Sequence, residues 1–290
     1  SASAHAAALR FVAFSRFTGN LPAAVKQCAE KQPSLHRVMS AGIVVTTLSM
    51  AGSVYGMGVP AGHFTHVIVD EAAQATEQDV LLALQLTTDK TNVILAGDPK
   101  QLGPQVRSPE CVAHGMAVSP LERLLSDSLI REKCCTMLVD NYRAHADIVD
   151  LYNRLTYEMK LESQVDPMKA NDLLERGLFT EFNVEIDTPL AFLHVEGQET
   201  QEDGSPSWMN QLELAVVLKT ITAALRRGVP AADIVVLSPY KKQCHKMSAK
   251  LHHHFTTSGH YPNYDKKRPP IRCCSVETFQ GSEAALVILT

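Results

Sequence analysis

The chain has 290 residues, of which 45% are hydrophobic and 20% charged, with a formal net charge of −4. That length provides for one or two domains with a real core, and the balance is that of an ordinary folded chain rather than a disordered or fibrous one. No apolar run reaches the roughly 18 residues that a membrane-crossing helix needs, so no membrane partner is expected, and the small net charge gives no global attraction to nucleic acid.

The first residues, SASAHAAALRF, lack the basic-then-apolar layout of a signal peptide. Residues 2–18 read as a helix that ends at Gly19-Asn20-Leu21-Pro22. Gly42 to Leu48 is β-branched and strand-like, and Ser53 to His63, rich in Gly, reads as a loop. A strand then runs into Asp70-Glu71 within VIVDEAAQ, followed by an amphipathic helix over Thr76 to Leu86. A second strand, Val93 to Ala96, ends in Gly97-Asp98 within LAGDPKQLGP. Pro104 to Pro109 is a loop and Pro120 to Leu129 a helix. A second α/β set follows a break near Lys133. It comprises strands at Cys135 to Val139 and Ala191 to Val195, helices at Ala144 to Leu155 and Asn210 to Arg227, and a surface loop at Gln198 to Ser207. Strand Ile234 to Leu237, a helix over Lys241 to His252, and strands Ile271 to Val276 and Leu286 to Thr290 complete it. In the long helix, Leu212, Val216, Ile221 and Leu225 form the expected apolar face. Alternation of apolar runs with helical patterns predicts an α/β fold with parallel sheets.

Strands that deliver carboxylates at their C-terminal ends place them where open parallel sheets bind ligands. An Asp-Glu pair there suits nucleotide hydrolysis, one carboxylate holding Mg²⁺ through water and the other orienting the attacking water. One such strand end is a weak signal; GDPKQLGP at the next makes it strong. The seven cysteines are odd in number, include two adjacent pairs and contain no C-x-x-C, which predicts reduced structural thiols in an intracellular compartment. From Lys241 to Arg272 the chain is +7 and elsewhere −11; the basic stretch reads either as a solvated helix face and loop or as a nucleic-acid groove. His252-His253-His254 cannot share one helix face, so it reads as a solvated or RNA-facing run rather than a metal site. Trp208 reads as a packing residue, and Tyr240 equally as packing or base stacking.

Together Asp70-Glu71-Ala72-Ala73, Gly97-Asp98-Pro99-Lys100-Gln101-Leu102, Asn141-Tyr142-Arg143 and SVETFQGSE (275–283) resemble the motifs of the superfamily 1 helicases, in their Upf-like branch. Phe64-Thr65-His66, Arg107-Ser108-Pro109, Ser119 to Leu125, NYRAH, Asn210 to Glu213 and VLSPYKKQ bring the chain closest to the Armitage-type RNA-silencing helicases. The resemblance covers essentially the whole chain. It implies two RecA-like parallel-sheet domains of the P-loop NTPase type, 1–133 and 134–290, with ATP and Mg²⁺ in the cleft between them and single-stranded RNA crossing both. By resemblance Asp70 is the Mg²⁺-water ligand, Glu71 the catalytic carboxylate, Gln101 the γ-phosphate sensor and Arg143 a γ-phosphate arginine. Gly97 and Asp98, with Gly281 and Glu283, lie on the nucleotide side. Thr46 and Thr47, Ser238-Pro239-Tyr240, Ser275 and Thr278 match nucleic-acid contacts. No G-x-x-x-x-G-K-[ST] phosphate loop occurs. The first domain is therefore expected to be truncated at its N-terminus, the last motif to lie beyond Thr290, and the chain alone to hydrolyse ATP negligibly. RNA-directed movement 5′ to 3′, silencing or mRNA-decay proteins as partners, and cytoplasmic ribonucleoprotein granules (or the nucleus) as location follow from the same likeness. A DNA helicase of the immunoglobulin-switch-binding kind and a non-catalytic nucleic-acid-binding scaffold are the alternatives.

Overall fold

The computed structural model describes residues 8–13, 23–178, 188–201, 204–258 and 270–290. The chain divides into two compact units, Ser1–Thr136 and Met137–Thr290.

In the first unit, strands β1 (Ala8–Phe11), β2 (Ala29–Glu30) and β3 (Ile43–Val45) form a parallel sheet in the order β2-β1-β3. β1 corrects the helix expected over residues 2–18, whose other residues lie mostly outside the described ones. Its Ala-rich context favours helix, but Leu9 and Phe11 alternate inward against Val38 and Val54, and pairing on both edges overrides local propensity. Strands β4 (His66–Val69) and β5 (Asn92–Leu95) form a separate parallel pair, Val69 opposite Leu95. Helix Glu77–Leu84 lies between them in the chain and buries Val80 and Ala83. Thr76 opens it, its hydroxyl accepting from the Asp79 amide while donating to the Asp79 carboxylate. The loop expected from Ser53 is helical as far as Gly56, within helix Leu48–Gly56. Leu82 lies against Gly52 there, and the chain leaves the helix through Gly58 at φ +89°. The helix expected over Pro120 to Leu129 breaks at Asp127. This extended residue ends helix Pro120–Ser126, and its carboxylate accepts from the Leu129 and Ile130 amides to start helix Ser128–Cys134.

In the second unit, β10 (Ile234–Leu237) is fully buried, flanked by β11 (Arg272–Cys274) and β12 (Leu286–Leu289) in a parallel sheet. Before it come the short parallel pair β6 (Asp140–Asn141) and β7 (Glu162–Ser163) and an antiparallel hairpin of β8 (Glu199–Gln201) and β9 (Trp208–Asn210). The hairpin stands where a plain loop is expected. The strands expected at 135–139 and 191–195 do not form: Leu138 and Phe192 are 85% and 91% exposed, and neither run belongs to a sheet among the described residues, although the Val139 carbonyl accepts from the Glu162 amide of β7. Helix Gln211–Arg226 buries Leu214, Val217, Ile221 and Ala224 rather than the stripe through Leu212 and Val216. Apolar residues surround most of this helix, and the face that meets β10 and helix Lys241–Ser258, with its Met247, Leu251 and Phe255, is the one buried.

All seven cysteines are free. Burial pushes the Cys273 thiol up to about 12, with the neighbouring Cys244 and Cys274 adding to the shift. Thiolate is the reactive form, so at pH 8 an alkylating reagent should label exposed Cys134 and Cys135 within minutes and Cys273 only on unfolding. Peptide mass mapping over time checks this; early labelling of Cys273 would contradict its environment.

Candidate active site

The Asp-Glu pair sits where β4 ends. Val69 is buried, and the next residue, Asp70, is exposed and accepts a hydrogen bond from the Glu71 amide at 3.0 Å. Glu71 takes a left-handed conformation, φ 53° and ψ 38°, which is uncommon for a residue with a side chain and costs about 1 kcal/mol or more. This bend ends the strand and leads into the short 3₁₀ turn Ala72–Gln74. Gln74 Nε2 donates to Glu71 Oε2 at 2.8 Å, which orients the carboxylate.

The neighbouring strand end is locked to the first. Ala96 N–H donates to the Val69 carbonyl and Ala72 N–H to the Ala96 carbonyl, both at 2.8 Å. A Cβ on Gly97 would lie 2.9 Å from Ala72 N and 3.0 Å from Ala73 N, with Leu121 Cδ2 at 3.2 Å. Only glycine fits, because those neighbours are backbone. Asp98 then folds its own turn: Oδ1 accepts from the Lys100 amide at 3.0 Å and Oδ2 from Gln101 Nε2 at 2.8 Å. Asp70, Glu71, Gly97, Asp98 and Gln101 thus share one edge of the β4–β5 pair. Replacing Gly97 with Val should destabilise the protein by about 1–3 kcal/mol through overpacking, seen as a lower thermal midpoint. An unchanged midpoint would mean that the strand ends can part freely.

In the second unit, Asn141 builds the turn that presents Arg143: its Oδ1 accepts from the Arg143 and Ala144 amides, and its Nδ2 donates to Tyr152 Oη at 3.0 Å. Burial raises the Tyr152 pKa against the lowering effects of that hydrogen bond and of the Arg143 charge. Arg143 Nε donates to Glu283 Oε2 at 2.8 Å, and both side chains are largely exposed. Gly281, at φ +74°, makes the turn before Glu283.

The residues matched to nucleic-acid contacts differ in access. Thr47 is exposed at the start of helix Leu48–Gly56, and its side chain makes no capping bond. Thr46 Oγ1 donates to the Phe11 carbonyl. Ser238 is fully buried, its hydroxyl accepting from the Tyr240 amide. Ser275 and Thr278 pair their hydroxyls at 3.0 Å beside Glu277. The Ser275 hydroxyl, then Glu277's own amide and Lys241, hold that carboxyl below its ordinary range. Pro239, Tyr240 and Trp208 line a pocket of about 470 Å³, so Trp208 is a partly exposed pocket wall. Groups of His, Cys, Asp and Glu able to hold a metal are absent among the described residues. The His run lies on helix Lys241–Ser258, and of the basic stretch 259–269 lies outside the described residues.

The AAA domain family matches residues 24–109 and 116–290. The chain belongs to the superfamily 1 helicases, in their Upf-like branch. Its relatives include the RNA helicase Mov10l1 of Mus musculus, 35% identical over 98% of this chain and 24% of the relative. The Homo sapiens Mov10l1 is 36% identical over 97% and 23%, and the probable RNA helicase armi of Drosophila melanogaster 32% over 91% and 22%. The chain spans about a quarter of the length of these relatives. Its parallel α/β architecture is accordingly the RecA-like fold of this helicase family.

The helicase-like strings VIVDEAAQ, NYRAH and VLSPYKKQ contain the residues that hold the site in place, but nothing in the strings marks that role. Gln74 fixes Glu71, and Asn141 fixes Arg143. Gln243 is buried at 2% exposure; it accepts from the Asn210 amide and donates to Glu213 and Thr290. Gln74 also stands one helical turn from Glu71, a spacing that suits their contact.

Proposed function

We propose that this chain carries the ATP-hydrolysing core of a helicase that moves along single-stranded RNA. The observation that carries the reading is the locked edge of β4 and β5, which sets Asp70 and Glu71 beside Gly97, Asp98 and Gln101. Asp70 has one carboxylate oxygen engaged by the Glu71 amide, and its exposed carboxylate suits Mg²⁺, which keeps most of its waters and takes one or two carboxylates with substrate phosphates. The ion would supply charge neutralisation at the phosphates. Glu71 accepts a proton from the attacking water, and Gln101 orients that water while sensing the γ-phosphate. Gly97 and Asp98 hold the turn that carries Gln101. Arg143 neutralises charge on the transferred phosphoryl group, with Gly281 and Glu283 shaping its surroundings.

Thr46 and Thr47, Ser238-Pro239-Tyr240, Ser275 and Thr278 hold the strand through hydroxyls and backbone amides, which grip phosphate without reading sequence. With Ser238 buried and its hydroxyl accepting from the Tyr240 amide, its contribution is to fix the turn that presents Tyr240. The test is ATP turnover by the full-length protein with single-stranded RNA or DNA of the same sequence. Stimulation by RNA supports the reading; preference for DNA would favour the DNA-helicase alternative, and no turnover with either the scaffold. The likeness to Armitage-type helicases supports silencing or mRNA-decay proteins as partners in cytoplasmic ribonucleoprotein granules. Imaging the tagged protein would reveal granules, or a nuclear location instead.

A further inference from the structure

Helices Gln211–Arg226 and Lys241–Ser258 lie side by side and run in the same direction: Gln243 meets Glu213 near their starts, and Thr222 Oγ1 lies 3.5 Å from His254 Nε2 further along. Between them runs an open groove of about 950 Å³. Two stripes line it. Gln211, Ala215, Leu218 and Thr222 come from the first helix, and Lys246, Lys250, His253 and Thr257 from the second. Both follow the alternating four- and three-residue spacing that makes a seam for another helix. Ala215 and Ala249 keep the groove open, and Leu214 and Leu218 give it an apolar floor. Lys219, Arg226, Lys246 and Lys250 form its rim, and no Asp or Glu is among its described lining residues.

We propose that this groove docks an acidic amphipathic helix from a partner protein. An apolar stripe on such a helix would cover Leu218 and the two alanines, while carboxylates on its flanks meet Lys246 and Lys250. The 16-residue helix Gln211–Arg226 is about 24 Å long, which sets an occupant of about four turns. A nucleic-acid strand would satisfy the rim alone and leave the floor against water, so the floor decides for a peptide. The proposal does not depend on the protein being a helicase.

The test is fluorescence anisotropy of the full-length protein with a labelled peptide of about 16 residues, leucines at i, i+4 and i+7 and glutamates on the flanks. Saturable binding is expected, at least about tenfold weaker for a scrambled peptide of the same composition. The double variant Lys246→Glu, Lys250→Glu should also weaken it about tenfold and accept a peptide with lysines in place of the glutamates. Ala215→Trp, a substitution at an exposed position, should block both peptides. Equal binding of the scrambled peptide, or no effect of either variant, would overturn the proposal. So would oligouridylate losing affinity in the charge-reversed protein with a steep salt dependence while the peptide does not bind, which would make the groove a nucleic-acid surface.

Discussion

Glu71→Gln should reduce RNA-stimulated ATP hydrolysis by about 10²–10⁴-fold, the range for removing a positioned general base, while leaving ATP and RNA affinity within about threefold. The reasoning is geometric. A glutamine side-chain oxygen can accept the hydrogen bond that Gln74 now donates to Glu71 Oε2, so the side chain keeps its place. It loses the negative charge and basicity that draw a proton from water. The left-handed backbone at position 71 is as demanding for Gln as for Glu, so the thermal midpoint should stay constant. Single-turnover hydrolysis and nucleotide titration of the same preparation separate the two quantities. Loss of RNA binding in step with hydrolysis would give Glu71 a structural role instead of a chemical one.

Arg143→Ala should lower hydrolysis about 10³-fold or more, the scale on which an arginine that neutralises a transferred phosphoryl group acts. Arg143→Lys should remain within about tenfold of the alanine variant, because an ammonium cannot reproduce the planar fork of donors. Stability should barely respond to either change. The Arg143–Glu283 side chains are 65% and 70% exposed, and such pairs contribute less than about 1 kcal/mol. The same pair predicts a competition, since Glu283 engages Nε of the guanidinium that a phosphate would need. In the Arg143 variants the thermal midpoint and the hydrolysis rate should therefore come apart, and a midpoint falling in proportion to activity would assign Arg143 to the fold.

Much of this was open to sequence reasoning, for reasons that differ by element. The strand at 234–237 is a continuous β-branched run, and such a run fits burial on both faces of a parallel sheet. The helices after Thr76 and Asn210 carry their caps in the sequence. β1 was hidden because Ala-rich residues favour helix locally, while its partners lie 19 and 35 residues away. The runs at 135–139 and 191–195 show the converse: apolar composition makes a strand only where a ladder partner exists. At the site, the residues whose chemistry is required were legible, since carboxylates and an arginine at strand ends announce themselves. Gly97 could be read as part of a motif, but its reason, backbone nitrogens closer than van der Waals contact to any Cβ, arises only in the folded chain. Gln74 and Asn141 act through geometry alone, and one amide side chain looks like another in a sequence.

The left-handed Glu71 also bears on how this protein could be engineered. A glycine there would relieve the backbone penalty of about 1 kcal/mol, so a library selected for heat resistance alone would be drawn to Glu71→Gly. Each gain of that kind would remove the carboxylate on which hydrolysis is proposed to depend. Selection on melting behaviour and selection on turnover would pull position 71 in opposite directions, and a hardened scaffold would emerge with its motor switched off.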